Sequence, residues 1–264
     1  MAIGFPTYTV ILFIVATIGT GIGSWLILSE GLAKVPIAPH IKRIWRWGAA
    51  IVLIAWLLVL LAWPVNPPGG VVLGRAVAIT SLVLGLLAGI LPLLISPSFR
   101  QIVRAVPETW LVGIHALRVL GFVWLALADM KLLPTEFALP AGFGDVSVGL
   151  LALVMAYLLA KRKPYARALV IVWNVLGLLD FVVALTTGLI YIRPFAAQVA
   201  ASGVSILYLN YVFLVPTFAI PLLAVLHIYS LFQMLSARVD KTTPDLEGPV
   251  HTPVFPAEQR SVHP

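Results

Sequence analysis

The chain contains no cysteine among its 264 residues. Disulfides, zinc thiolate centres, iron–sulfur clusters and thiol catalysis are therefore excluded. Charge is also scarce: Asp, Glu, Lys and Arg make up 10% of the chain, where a soluble domain carries about 25%. In its place 61% of the residues are hydrophobic, and the mean hydropathy is +1.06. The apolar residues come in runs too long for a soluble core to absorb. This excludes a cytosolic enzyme, a disordered scaffold and a nucleic-acid binder, and it defines a membrane protein whose first partner is the lipid bilayer.

Enzyme signatures are missing as well. There is no HExxH, no GxSxG, no P-loop and no paired-carboxylate repeat, and Ser147, between Gly144 and Gly149, has the wrong spacing for a nucleophile elbow. The last apolar run contains no lysine that could hold a retinal. The residues match no diagnostic motif of a known family, and the sequence leans away from an enzyme.

The sequence contains seven stretches that approach or exceed the ~20 helical residues needed to cross a bilayer. They cover residues 7–29, 47–63, 76–96, 110–128, 142–160, 168–190 and 208–235. The expected fold is an all-α, polytopic transmembrane helix bundle occupying residues 1–240, in the cytoplasmic membrane. Residues 241–264, rich in Pro, Thr, Asp, Glu and Gln, are expected to form a disordered cytoplasmic tail. Residues 132–144, which contain two prolines, are a candidate re-entrant segment, and 194–209 a candidate interfacial one.

Of the 17 Lys and Arg residues, all but Arg118, inside a span, and Arg260, in the tail, sort by loop. One side holds Lys34, Lys42, Arg43 and Arg46, then Arg100 and Arg104, then Lys161, Arg162, Lys163 and Arg167, then Arg238 and Lys241; the other holds Arg75, Lys131 and Arg193. Short cytoplasmic loops carry the basic excess, so the amino terminus is expected outside and the carboxyl terminus in the cytoplasm. Trp25, Trp45, Trp47, Trp63 and Trp110 lie near expected span ends and read as interfacial anchors. Gly19 with Gly23, and Gly85 with Gly89, form GxxxG pairs that suit helix packing or oligomerisation.

Ionisable residues at membrane depth cost at least ~2.5–3.5 kcal/mol each and so point to a partner or a water-filled site. His115 and Arg118 in the fourth span, Asp180 in the sixth and His227 in the seventh qualify, with Asp145 nearer the outer end of the fifth and Asn174 as an uncharged companion. At 1.5 Å per residue from the cytoplasmic ends, His115 falls at ~8 Å, Asn174 at ~9 Å, Arg118 and His227 at ~12 Å and Asp180 at ~18 Å. The planar fork of Arg118 makes Asp180 its expected partner and Asp145 the competitor. Spacings of three and eleven residues place His115, Arg118 and Asp129 on one stripe facing the bundle. Pro216 and Pro221 each remove a backbone donor, which frees carbonyls near Phe213 and Thr217 for an ion or water.

Three readings follow. The first is passage or proton-linked transport of a small solute or ion through His115, Arg118, Asp145, Asn174, Asp180 and His227, with no metal implied. The second is a quinone-interacting or b-type haem subunit, with His115 and His227 as axial ligands. The third is a structural subunit of a membrane complex, in which the same polar groups only fix helix packing. The topology on which the depths rest is directly testable: a reporter fused after Arg238 should read cytoplasmic and one inserted near Gly70 external. The reverse pattern would discard the assignment.

Overall fold

In lipid the backbone has no water to bond, so long apolar runs fold as helices that satisfy their own amides and carbonyls. The computed structural model describes residues 6–62, 70–201 and 207–242, and every regular element among them is helical. Helix α1 spans Thr7–Lys34, α2 Pro39–Ala62 and α3 Gly70–Ile95. A short α4, Pro97–Ala105, precedes α5, Glu108–Asp129. Helix α6 is Thr135–Ala160 and α7 is Ala166–Ala201. The last, α8, is assembled from Leu207–Leu214, a π turn at Val215–Ala219, and Ile220–Thr242. All but α4 contain a stretch long and apolar enough to cross a membrane, seven in total among the described residues. This is the architecture of an integral membrane protein.

The helices outrun the limits read from hydropathy. Residues 39–46, with Lys42, Arg43 and Arg46 among them, add two turns to the start of α2, and α1 continues to Lys34, which pairs with Glu30 at 2.8 Å. The segment at 132–144 is not re-entrant: from Thr135 on it forms the first turns of α6. Pro140 is accommodated there because its missing donor would have served only Glu136, in the opening turn. The segment from 194 is helical as far as Ala201, and residues 202–206 lie outside the described residues. The expected tail begins while α8 is still helical; residues 243–264, like Trp63, lie outside the described residues.

Helix α4 interrupts what the sequence shows only as a basic loop. Ser96 accepts a hydrogen bond from the Phe99 amide at 3.2 Å and Pro97 occupies the first turn, both favourable for helix initiation. Phe99, Ile102 and Val103 face the core, while Arg100 donates to the Leu94 carbonyl at the end of α3 at 2.8 Å. Gln233 of α8 donates to the Val106 carbonyl at 2.9 Å, tying the end of α4 to the bundle.

Burial separates the centre from the rim. In the most apolar stretch of each helix, 67% of α8 and 50% of α5 is buried, against 6% of α2. Helices α5 and α8 are thus the axis of the fold, with α6 and α7 packed on one side and α1 and α3 on the other. The GxxxG glycines serve these contacts within the chain. Gly19 and Gly23 admit Leu117 and Ile114 of α5 to α1, and Gly85 and Gly89 admit Pro221 and Val225 of α8 to α3. Of the expected anchors, Trp47 and Trp110 are exposed, whereas Trp45 packs on Phe99 and Trp25 donates to the Arg46 carbonyl.

The carbonyls around the prolines of α8 are not left open. Thr217, whose carbonyl Pro221 cannot serve, accepts from the Ser81 hydroxyl of α3 at 3.0 Å, and Ser81 accepts from the Trp56 indole of α2 at 2.7 Å. The Phe213 carbonyl accepts from the Thr217 hydroxyl. Hydroxyls therefore serve the Thr217 and Phe213 carbonyls, in the region expected to bind an ion or water. Ser81→Ala would orphan the Thr217 carbonyl and the Trp56 indole together and should lower stability by about 1–2 kcal/mol, read by thermal unfolding in detergent. An unchanged midpoint would show that other donors fill the gap.

Candidate functional site

The site is built on an unusual stretch of α5. From Ile114 to Gly121 the helix is wound as 3₁₀ for eight residues, where runs beyond three or four are uncommon. At three residues per turn, side chains three apart eclipse, and the buried residues of the segment are His115, Arg118 and Gly121. The same line continues through buried Val112, Trp124 and Leu127. Asp129 falls off this line and is exposed, so it does not share the stripe expected for it. Eleven residues would return to one face of a pure α-helix but not of one overwound in its middle.

Arg118, ten residues from one end of α5 and eleven from the other, is almost completely buried. Its Nε donates to Oδ1 of Asp145 on α6 at 2.8 Å, and its Nη2 donates to Oδ2 of Asp180 on α7. Both expected partners are therefore engaged at once. Nη1 donates to the Gly177 carbonyl at 3.3 Å and lies 3.2 Å from Nε2 of His227 on α8. The face of the guanidinium stacks over Phe181, 4.0 Å from the ring centre. One side chain thus binds groups from three other helices, each contact using a donor of the planar fork.

The hydrogen bonds dictate a tautomer. Arginine only donates, so Nε2 of His227 accepts and the imidazole proton resides on Nδ1. Nδ1 then donates to Oδ1 of Asn174 at 2.8 Å, and Asn174 Nδ2 donates to the Ser230 hydroxyl at 2.9 Å and to the Val170 carbonyl. The result is a directional chain from Arg118 through His227 and Asn174 to Ser230, running toward the end of the bundle where the basic loops lie.

His115 joins the cluster by stacking rather than by hydrogen bonding. Its ring lies on that of His227 with centroids 3.7 Å apart and planes 28° apart, and neither nitrogen has a partner. This geometry does not fit a haem. Axial imidazoles point nitrogens at a metal from opposite faces of a macrocycle, whereas these rings stack face to face with no room between them. Both nitrogens of His227 are also engaged, by Arg118 and Asn174. Among the described residues no cluster of three His, Asp or Glu could hold a metal ion.

Glycines admit this crowd of polar groups. A Cβ at Gly144 would strike the Asp180 carboxylate, one at Gly177 the His227 ring, one at Gly121 the Asp145 side chain, and one at Gly149 the backbone of α5 at Val119. Trp124 adds a donor, its indole reaching Asp145 Oδ2 at 3.2 Å. In the sequence Gly144 and Gly149 stand out only as flanks of Ser147, and Gly121, Gly177, Trp124, Phe181 and Ser230 do not stand out. Their available signal was position: Gly144 directly precedes Asp145, and Gly177 lies three residues before Asp180. A cavity of about 50 Å³ opens beside the cluster, bordered by Arg118, Asp145, Trp124, Phe181 and the α1 residues Phe13 and Thr20. It has room for a few water molecules.

Fold and site together define a seven-helix integral membrane protein with one arginine, two aspartates and a histidine interlocked at mid-bundle. The chain belongs to the family described as a domain of unknown function (DUF8737), whose model matches residues 76–235. That match contains the whole polar cluster and leaves α1 and α2 outside it. No curated protein and no solved structure matches the chain.

The two histidines should respond differently to substitution. His227→Leu removes the acceptor of Arg118 and the donor to Asn174, and should cost about 1–3 kcal/mol in detergent unfolding. His115→Leu removes no hydrogen bond, and its effect should stay within about 1 kcal/mol. Equal losses would contradict the hydrogen-bond pattern described here.

Proposed function

We propose that the protein moves protons, alone or coupled to a small solute or ion, through the cluster of Arg118, Asp145, Asp180, His227, Asn174 and His115. The observation that carries the reading is a charge deficit: two carboxylates face one guanidinium. Arginine keeps its charge in proteins, and His227 is neutral while it accepts from Arg118. The group is therefore neutral only when it holds one proton or one monovalent cation. An uncompensated charge at mid-membrane is costly, which favours uptake. A cavity of about 50 Å³ suits a proton or a small ion better than a bulky organic solute.

Backbone irregularity beside the site supports the same reading. The 3₁₀ run of α5 and the π turn of α8 are departures from α geometry that recur at functional sites. We place the basic loops on the cytoplasmic side, so that Asp145 and Asp180 lie on the outer side of Arg118 and the chain through His227 on the inner side.

A structural role is the competing reading, favoured by the fact that all three guanidinium nitrogens of Arg118 have partners. Reconstitution decides between them. Liposomes carrying the protein, an entrapped pH dye and a valinomycin-clamped potassium gradient should show proton uptake above protein-free vesicles. Asp145→Asn and Asp180→Asn should return uptake to the protein-free rate while still eluting as monodisperse protein. Wild-type vesicles no leakier than empty ones, at either polarity, would favour the structural role.

A further inference from the structure

The two carboxylates are not equivalent. Asp145 has both oxygens occupied by donors: Oδ1 by Arg118 Nε at 2.8 Å and Oδ2 by the Trp124 indole at 3.2 Å. Two donors favour the ionised form of an acid, and a proton placed on either oxygen would compete with the donor already there. Asp180 accepts from Arg118 through Oδ2 alone, and no donor reaches its Oδ1 among the described residues. Oδ1 is also the atom that a Cβ at Gly144 would meet first. The oxygen therefore occupies a notch in α6 that exists because residue 144 has no side chain. Access does not separate the two acids, since their side chains are 18% and 11% exposed. Hydrogen-bond occupancy does.

We infer that the proton held by the cluster sits on Oδ1 of Asp180, that Asp145 stays ionised as the fixed counter-ion of Arg118, and that Gly144 is the positioning residue that keeps a place for that oxygen. This assignment rests on the proton-carrying reading of the cluster and names its binding atom. The groups facing Asp180 are Arg118 from α5 and Asp145 from α6, while His227 from α8 reaches it only through Arg118. Binding one proton to Oδ1 takes the three charged groups from a net −1 to zero with no other bond broken. Oδ2 continues to accept from Arg118, so the link between α5 and α7 survives in both states. Because the two acids interact through one arginine, it is the asymmetry of their hydrogen bonds that localises the shared proton.

The test uses the full chain in mild detergent and dicyclohexylcarbodiimide, an apolar reagent that adds to protonated carboxyl groups. Peptide mass spectrometry should find at least about tenfold more adduct on Asp180 than on Asp145 near neutral pH, the difference expected for one unit of separation in proton affinity. The Asp180 adduct should fall as pH rises. Gly144→Ala, which places a methyl group where Oδ1 lies, should reduce it severalfold. The wild-type labelling stands by itself if that variant does not fold. Adduct on Asp145 in preference to Asp180 would overturn the assignment while leaving proton carriage by the cluster intact. Adduct on neither acid, together with no proton uptake in liposomes, would overturn both.

Discussion

The guanidinium of Arg118 is the constraint around which the rest of the bundle is arranged. It is a charge that cannot be removed by deprotonation, held in the middle of a helix that lies at the axis of the fold. A buried cation survives there only if its donors are satisfied and its charge is balanced, and no single neighbouring helix supplies both. The solution recruits groups from three helices: Asp145 from α6, Asp180 and the Gly177 carbonyl from α7, and His227 from α8. Breaking any of these contacts would leave a desolvated group without a partner, so side-chain chemistry rather than apolar packing sets how these four helices meet.

Close approach follows from that demand. Aspartate side chains are short relative to the distance between helix axes, and the glycines at 121, 144, 149 and 177 leave out the methyl groups that would otherwise collide with the partners. The 3₁₀ winding of α5 serves the same end by bringing His115, Arg118 and Gly121 onto one line facing the partners. Its outer surface fits the glycines of α1 through Ile114 and Leu117. On α8, the π turn and two prolines disturb the backbone, and hydroxyls from Ser81 and Thr217 restore the bonds. Each irregularity thus has a local partner, as a lipid interior requires.

Much of this was legible in the sequence because membranes make the rules strict. Apolar length marked all seven spans, and the rarity of charge at depth singled out Arg118, Asp180 and His227 before any coordinates. Helical rise alone brought Arg118 and Asp180 to compatible depths. The misreadings have a common cause, the assumption of uniform α geometry and of hydropathy as the limit of a helix. Asp129 falls on the stripe only under a 3.6-residue period that α5 does not keep, and the starts of α2 and α6 fall outside the expected spans because the first carries Lys42, Arg43 and Arg46 and the second is flanked and interrupted by Pro134 and Pro140. The haem reading used the depths of His115 and His227, but depth says nothing of which edge of a ring faces its neighbour, and the rings stack. No one-dimensional signal announces that Trp124 will complete the solvation of Asp145, since an indole within an apolar span reads as one more hydrophobe.

The same arginine that locks the helices would also limit proton movement within the cluster. While Nη1 of Arg118 donates to His227, the imidazole has its acceptor nitrogen occupied and its proton directed at Asn174. A proton on the carboxylate side therefore cannot be taken up by His227, where a second positive charge would face Arg118 directly, and the vacant base beyond it is His115, whose nitrogens have no partner among the described residues. Transfer by way of His227 would require the guanidinium to leave the histidine, and it could do so without abandoning its charge balance only by staying with the aspartates. A small swing of the fork toward α6 and α7 satisfies both conditions, whereas a full departure of Arg118 would unpair four helices. A proton passed by way of His227 would therefore be gated by one side chain that can shift its hydrogen bonds but cannot be dispensed with.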